Sequence, residues 1–268
     1  MPTASGTGPL AGLRIVHTRP RDQSGNFEER IRALGGIPEI APAIAIGPPA
    51  DPAPLDAAIA HLGEFDWIAF TSANAVRAVA DRAAAAEVGR DAFVNVRLAA
   101  VGLATADALA QTLRAPDFVA QVSTARSLGE ELPLRRGERV LVPRGDLAQD
   151  AFADALAARG ATPYVVPAYR TVPGPGIPQV LAGLRASSTD ALLFASGSAV
   201  RFVADALDDT VARSLKAGRP AIFCIGPSTA RAAESAGFAP AAIAGAATQD
   251  ALIDAVAEWF SARQAGDA

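Results

Sequence analysis

The chain has 268 residues, of which 50% are hydrophobic and 19% are charged, so it can bury one large core or two smaller ones. Its formal net charge is −4 and it has no long basic run, which disfavours nucleic acid as a partner. Cys224 is the only cysteine, which excludes an internal disulfide, and its apolar surroundings predict an inert core residue. The segment Met1–Pro9 has no signal-peptide pattern and no apolar run is long enough to span a membrane, so we expect a soluble, cytoplasmic protein.

Short apolar runs alternate with helical patterns along the chain, which is typical of parallel βαβ architecture. The predicted strands are 13–18, 37–40, 67–70, 97–101, 117–120, 139–142 and 163–166. The predicted helices include 27–34, 55–62, 74–86, 105–113, 127–132, 150–158 and 249–260. Proline-rich stretches at 42–54 and 167–178 interrupt this pattern and are predicted to be linkers or hinges.

The second half of the chain repeats the first. The segment Phe70-Thr71-Ser72-Ala73-Asn74-Ala75-Val76-Arg77 returns 124 positions later as Phe194-Ala195-Ser196-Gly197-Ser198-Ala199-Val200-Arg201. Further pairs have offsets of 124 or 125: Val101-Gly102 with Ile225-Gly226, Thr105 with Thr229, Thr124 with Thr248, Arg19 with Arg144, and Gly35 with Gly160. This recurrence indicates an internal duplication.

The fold class predicted from this pattern is α/β, with two flavodoxin-like, doubly wound parallel-sheet domains of five strands each. Residue order leaves two packings open. Residues 11–132 and 138–260 could each fold contiguously, or 11–41 could pack with 180–260 while 47–166 forms the other domain.

The repeated motifs lie where predicted strands lead into helices, the place at which doubly wound sheets bind ligands. Ser, Thr and Asn side chains cap helix starts, and the first backbone N–H groups can bind an anion. These residues are therefore either plain helix caps or anion-binding groups, and four such corners around one cleft would favour binding. The candidates are Thr71, Ser72, Ala73, Gly102, Thr105, Ser196, Gly197, Ser198, Gly226, Ser228 and Thr229.

Three further residues could contribute chemistry. Arg19 and Arg144, the latter followed by Gly145, occupy equivalent places after strands, where each is either a surface arginine or a planar carboxylate-binding fork. Tyr169, one of two tyrosines with Tyr164, lies in the predicted linker, where it either packs locally or presents a phenol to a cleft.

Several familiar chemistries are absent from the sequence. There is no phosphate-binding P-loop, no dinucleotide-binding glycine motif after a strand, and no nucleophile elbow. His17 and His61, predicted in a strand and a helix respectively, are expected to be structural, and with one cysteine they make a metal site improbable.

At these residues the chain resembles the uroporphyrinogen-III synthase family over about residues 10–260. The resemblance rests on Thr18-Arg19-Pro20, Phe70 to Val76, Val101-Gly102 with Thr105-Ala106, Pro143-Arg144-Gly145, Val166 to Thr171, and Ile225-Gly226-Pro227 with Thr229-Ala230. Ala195 departs from the threonine that many members carry before the serine. The resemblance implies the interleaved packing: 1–41 plus 174–268 as one domain, 47–166 as the other, and linkers 42–46 and 167–173 as two crossing strands.

The resemblance also implies a function. Family members convert hydroxymethylbilane, a linear tetrapyrrole with eight carboxylates, to uroporphyrinogen III by losing water, closing the ring and inverting ring D. They proceed through an azafulvene cation and a spiro-pyrrolenine, without cofactor or metal. Tyr169 matches the tyrosine associated with loss of the hydroxyl, and Thr105 and Thr229 match threonines at the cleft. We expect a monomeric, cofactor-independent lyase of tetrapyrrole and heme biosynthesis with no membrane or nucleic-acid partner.

A different class of function also fits the residues. A two-lobed cytoplasmic protein could bind a small anion at the same corners and convert nothing. A duplicated nucleotide-dependent enzyme fits less well, because the phosphate-binding loops are missing.

Overall fold

The computed structural model describes residues 8–147, 150–216 and 218–266; most of the segment examined for a signal peptide lies outside them. The strands are Arg14–His17 (β1), Ile37–Ile40 (β2), Ile44–Gly47 (β3), Trp67–Phe70 (β4), Arg97–Ala100 (β5), Phe118–Val119 (β6), Arg139–Gly145 (β7), Thr162–Pro173 (β8), Ala191–Phe194 (β9), Ala221–Cys224 (β10) and Pro240–Ile243 (β11).

The helices alternate with the strands. They are Phe27–Ala33 (α1), Ala53–Ala60 (α2), Ala73–Ala85 (α3), Leu103–Thr112 (α4), Ala125–Glu131 (α5), Ala151–Ala158 (α6), Ile177–Arg185 (α7), Gly197–Asp205 (α8), Asp209–Lys216 (α9), Pro227–Ser235 (α10) and Gln249–Gly266 (α11). Short 3-10 turns occupy Arg21–Gln23, Leu62–Glu64 and Arg90–Phe93. Among the described helices, none combines the length and apolar character needed to cross a membrane.

The chain divides into two compact units. Unit 1 comprises the described parts of Met1–Ala45 and Val172–Ala268, and unit 2 comprises Ile46–Thr171. Strands β3 and β8 each include residues on both sides of these boundaries.

Each unit is built on one sheet. The order in unit 1 is β11-β10-β9-β1-β2, and its neighbouring strands are parallel. The second sheet has the order β3-β8-β7-β4-β5-β6, with parallel pairing from β8 to β6. When the strands are numbered by their place in the repeat, the first sheet and strands β8 to β6 of the second both have the flavodoxin-like order 2-1-3-4-5, so the predicted fold class is confirmed. The second sheet has six strands and not the predicted five, because β3 is added at its edge beside β8.

Both faces of each sheet are covered, which explains the continuous apolar runs in the sequence. In β9, Leu192 and Phe194 pack into one cluster of unit 1, while Ala191 and Leu193 pack into the other. The same alternation in β4 sends Ile68 and Phe70 to one cluster and Trp67 and Ala69 to the second. Successive side chains of a strand point to opposite faces, so every position of these strands is buried.

The duplication is visible in the backbone. Gly35 and Gly160, predicted to end helices, have φ angles of 85° and 84°. At the first, the Gly36 amide donates to the Ile31 carbonyl at 2.9 Å, and at the second the Ala161 amide donates to the Leu156 carbonyl at 3.2 Å. Both helices therefore end in the same left-handed turn, where glycine avoids the cost of a side chain.

Both predicted linkers lie in strands, as the family resemblance implied. β3 covers Ile44–Gly47, where the hydrophobic pattern alone predicted no strand, and β8 extends to Pro173, although that pattern ended the strand at Val166. The prolines suggested a break, but a proline is tolerated in a strand where its missing N–H faces no neighbouring strand. Because β3 has only 4 residues and β8 has 12, much of β8 has β7 as its one neighbour.

His17 has the structural role predicted for it. It ends β1, is 1% exposed, and its ring packs against Phe27 with 4.7 Å between the ring centroids. Burial, assisted by the positive charge of Arg19, lowers the pKa of His17 from 6.5 to about 4. The imidazole is therefore neutral at neutral pH.

This pKa predicts a window of acid sensitivity. The unfolded state takes up a proton as pH falls below about 6.5, whereas the folded state does so only near pH 4, so stability decreases through that window and is unaffected above it. Between pH 7.5 and pH 5 we expect the native protein to lose about 2 kcal/mol more than His17→Asn, which does not titrate. Urea unfolding of both proteins at both pH values measures this, and equal losses would contradict it.

Candidate functional site

The first repeated corner of unit 2 lies between β4 and α3. Ser72 has an extended backbone, with φ −160° and ψ 151°, and its Oγ accepts a hydrogen bond from the Ala75 amide at 3.2 Å. The predicted capping role of Ser72 is therefore confirmed. Its neighbours Thr71 and Ala73 are half-buried at the start of this helix, whose first N–H groups have no partners within the helix itself.

The equivalent corner of unit 1 lies between β9 and α8 and has the same geometry. Ser196 has φ −160° and ψ 152°, and its Oγ accepts from the Ala199 amide at 3.2 Å. Gly197 is the first helical residue and is half-buried. The two capping serines thus have the same backbone conformation and the same cap hydrogen bond.

The residues two positions beyond the capping serines face a helical arginine. Asn74 Oδ1 accepts from Arg77 at 3.2 Å, and Ser198 Oγ accepts from Arg201 at 3.2 Å. Both pairs are on exposed turns of their helices. Ser198 therefore presents a hydroxyl that already has an arginine partner.

The second pair of corners begins at glycines. Gly102 and Gly226 precede α4 and α10 in extended conformations, with φ of 173° and −177°, and no side chain caps either helix. Ser228, the second residue of α10, is exposed. The early amides of both helices are therefore not taken up by a capping side chain.

Of the two roles considered for Thr105 and Thr229, helix capping is wrong, because the N-cap residues are Gly102 and Gly226. Thr105 and Thr229 are 4% and 2% exposed and lie in the first turn, on the face that packs against the sheet. Their position three residues after the cap turns each side chain inward, alongside residues such as Ala108 and Ala233. A role of either threonine in ligand binding stays a prediction.

Gly102 permits a close approach between two loops. A Cβ at this position would lie 2.8 Å from Ser123 Cβ, in the segment between β6 and α5. At the equivalent Gly226 a Cβ would meet no atom within 4 Å. The two halves therefore differ here: unit 2 has a tight corner and unit 1 an open one.

Tyr169 lies in β8 and is brought to the first corner of unit 2. The β7–β8 register is irregular, because Arg144 pairs with Pro167 and Gly145 with Tyr169, leaving Ala168 as an extra residue. A Cβ at Gly145 would lie 2.7 Å from two ring carbons of Tyr169, so the ring rests against bare backbone.

The Tyr169 hydroxyl meets the capping serine. Its Oη lies 3.2 Å from Ser72 Oγ, and either atom can donate the hydrogen bond. The ring is half-buried and packs against the core beneath α3. This contact joins a helix start, a serine and a phenol at the carboxyl end of the unit 2 sheet.

The two predicted arginines occupy related positions with different partners. Arg144 lies within β7, and not after it as predicted, and its Nη1 is 2.6 Å from Asp150 Oδ1. Arg19 follows β1, is half-buried, and its Nε donates to Gln23 Oε1 at a long 3.4 Å.

A cavity of about 250 Å³ lies beside Arg144. Its lining also includes Thr71 and Phe152, so it is continuous with the corner at β4. A guanidinium at its wall suits a carboxylate. The contacts of Asp150 with Arg144 and of Ser123 with Gly102 were not predicted from the sequence. The repeat could have indicated Ser123, because it directly precedes Thr124, which matches Thr248 in the second half.

Among the described residues, no three or more His, Cys, Asp or Glu side chains lie close enough together to hold a metal ion. Cys224 is a buried core residue as predicted, and burial, with a smaller effect of Glu234, raises the pKa of its thiol to about 11. His61 is exposed and follows α2, although the prediction placed it inside that helix.

The arrangement combines two chemical capacities. Helix starts at the carboxyl ends of parallel strands can hold carboxylates through backbone amides, and each contributes about 0.3–1 kcal/mol. In unit 2, the Tyr169 hydroxyl can donate a proton to a group held beside it.

The chain is similar to uroporphyrinogen-III synthases and HemD proteins over most of its length. The family model for uroporphyrinogen-III synthase HemD matches residues 25–254. The uroporphyrinogen-III synthase of Synechococcus elongatus is 34% identical over 256 residues, covering 94% of this chain and 97% of that protein. The porphyrin biosynthesis protein HemD of Ruminiclostridium josui is 28% identical over 253 residues, which cover 93% of this chain and 49% of that longer protein.

A solved structure supports the fold. A mutant uroporphyrinogen III synthase from the extremely thermophilic bacterium Thermus thermophilus has a TM-score of 0.58 and 21% identity, with 94% of this chain and 100% of that chain covered. By the extent of the family match and the identity to the cyanobacterial relative, this chain belongs to the uroporphyrinogen-III synthase HemD family.

Proposed function

We propose that the protein is a lyase that converts hydroxymethylbilane to uroporphyrinogen III, with loss of water, ring closure and inversion of ring D. Family membership supports the reaction. The observation that carries the proposal for this chain is the 3.2 Å contact between the Tyr169 hydroxyl and Ser72 at the start of α3. This contact supports a role for Tyr169 as a proton donor beside backbone amides that could hold the carboxylates of the substrate.

Tyr169 acts at the first step. Its phenol donates a proton to the departing hydroxyl of the bilane as the carbon–oxygen bond breaks, which yields water and an azafulvene cation. After ring closure through the spiro intermediate, the macrocycle loses one proton, which returns the phenolate to its starting state. The overall change is the loss of one water, and no cofactor, metal, oxidant or reductant takes part.

The remaining candidates bind and orient the substrate. The substrate has eight carboxylates, but binding them needs no lysine-rich surface, because helix amides and a few arginines can bind carboxylates. In the proposed arrangement the domains are 1–41 plus 174–268 and 47–166, with 42–46 and 167–173 as linkers, and each domain carries candidate corners. The binding set is Arg19, Thr71, Ser72, Ala73, Gly102, Thr105, Arg144, Gly145, Ser196, Gly197, Ser198, Gly226, Ser228 and Thr229.

Orientation is the main catalytic requirement. An activated bilane closes by itself at the nearer carbon of ring D, so the protein has to favour attack at the substituted carbon. Holding both ends of the linear bilane in one geometry lowers the entropic part of the activation barrier, and enzymes commonly accelerate reactions in this way. We further infer that the protein works as a cytoplasmic monomer, and its single buried Cys224 suits a reducing compartment.

The product isomer tests this function. With hydroxymethylbilane generated in the assay, we expect mainly the type III isomer by chromatography, whereas the same mixture without protein gives type I. Folded protein that gives only type I would refute the proposal. If such protein also binds an unrelated small anion tightly, the alternative of a two-lobed binding protein is favoured.

Variants of the two equivalent serines, Ser72 and Ser196, distinguish a loss of helix capping from a loss of catalysis. Ser72→Ala and Ser196→Ala remove the same kind of cap, so each should cost about 1 kcal/mol of stability. Only Ser72 contacts Tyr169, so Ser72→Ala should lower kcat about tenfold, ~1.4 kcal/mol, as should Tyr169→Phe. Ser196→Ala should act mainly on KM.

Steady-state kinetics and thermal unfolding of the three variants measure these effects. Tyr164→Phe is the matched control, because Tyr164 is 42% exposed and packs on Phe65, 5.6 Å between ring centroids. A normal kcat for Tyr169→Phe would remove that residue from the mechanism. Equal kinetic effects of the two serine variants would show that the tyrosine contact does not matter.

A further inference from the structure

Two exposed large apolar side chains follow the neighbouring strands β5 and β6 at the carboxyl edge of the unit 2 sheet, and Leu147, after β7, is a third at this edge. Leu103, the first residue of α4, is 75% exposed, and Val122, in the segment between β6 and α5, is 60% exposed. Side chains this exposed contribute little to the burial that stabilises a fold.

The two side chains lie on segments that touch. β5 and β6 are parallel neighbours, with Ala99 opposite Phe118 and Ala100 opposite Val119, so the loops that follow them emerge together. Gly102, directly before Leu103, approaches Ser123, directly after Val122, so closely that a Cβ would lie 2.8 Å from the Ser123 Cβ. Leu103 and Val122 therefore flank the tight corner described above.

This apolar pair belongs to one half of the duplication only. At the offset that matches Gly102 with Gly226 and Thr124 with Thr248, Leu103 corresponds to Pro227 and Val122 to Ala246. Unit 1 thus keeps the glycine corner and the capping threonine but lacks both large side chains. The corner itself does not need them to form.

We propose that Leu103 and Val122 form an apolar shelf that covers the face of a pyrrole ring of the bound tetrapyrrole. This inference rests on the proposed function and assigns the two halves different tasks. A tetrapyrrole presents apolar ring faces between its carboxylates, so a site that holds it needs apolar cover next to anion-binding amides. The α4 start supplies both within two residues: the uncapped helix amides and the Leu103 side chain.

The position of the shelf favours this occupant over a protein partner. It adjoins the same corner as the candidate amides, and its two side chains offer an area suited to one ring and not to a protein interface. The half of the molecule that carries the shelf is also the half in which Tyr169 meets Ser72. A ring held on the shelf would lie in the unit that supplies the proton donor.

The test compares Leu103→Ser, Val122→Ser and the double variant with Val94→Ser. Val94 is 63% exposed and precedes β5, at the opposite end of the strand from Leu103, so it controls for loss of an exposed apolar side chain. For the double variant we expect KM for hydroxymethylbilane to rise about tenfold, with kcat within about twofold and an unchanged melting temperature. Val94→Ser should leave all three unchanged. An unchanged KM in the double variant would overturn the shelf.

A second measurement separates the shelf from the proposed function. Uroporphyrin III carries both pyrrole rings and carboxylates, whereas citrate carries carboxylates alone, so fluorescence titration with each probes the two kinds of contact. The shelf predicts that the double variant binds uroporphyrin III about tenfold more weakly while its citrate binding is unchanged. If native protein forms no type III isomer but shows this pattern, the function fails and the shelf stands. Equal uroporphyrin binding by native and double-variant protein would refute the shelf under either outcome.

Discussion

The carboxyl ends of parallel strands determine where every candidate residue of this protein lies. Because all paired strands from β8 to β6 run in one direction, their following loops and helix starts emerge at one edge of the sheet. The same constraint acts in unit 1 from β11 to β2. Helix amides therefore lie together at this edge, and they can bind anions without help from buried charged side chains. A protein with a net charge of −4 can bind a polycarboxylate in this way.

The duplication shows which features a corner needs and which have been added to it. Ser72 and Ser196 share backbone angles within a degree and the same 3.2 Å cap, so this geometry follows from the strand–helix junction alone. The tyrosine contact is different, because the residue that corresponds to Tyr169 in the repeat is Ile44. Unit 2 therefore combines a capped strand–helix corner with a phenol. The proposed mechanism assigns the bond-breaking step to this unit.

Much of the fold could be predicted from sequence because buried strands have a strong pattern. β4 was predicted at its observed bounds, since four apolar residues stand between clear helix signals. The residue pattern alone missed β3 and the second half of β8, which only the family resemblance indicated, because the prolines were taken as a break. Pairing geometry decides whether a missing N–H matters.

The site was less predictable than the fold. The serine caps were predicted correctly from a local rule, but the same rule failed at Thr105 and Thr229, whose side chains turn into the core. The Ser72–Tyr169 contact joins residues 97 positions apart and depends on an irregular β7–β8 register, which no local pattern reports. The Arg144–Asp150 pair was also missed, because no local pattern relates a strand arginine to a carboxylate six positions later.

We propose that backbone amides at the helix starts that follow the parallel strands hold the carboxylates of the tetrapyrrole. Backbone amide shifts in a ¹⁵N-labelled sample, titrated anaerobically with uroporphyrinogen III, test it most directly. We expect the largest changes at the first helix amides, those of Ala73 and Leu103 in unit 2 and of Gly197 and Ser228 in unit 1. Changes centred at the amino ends of the strands would contradict this proposal.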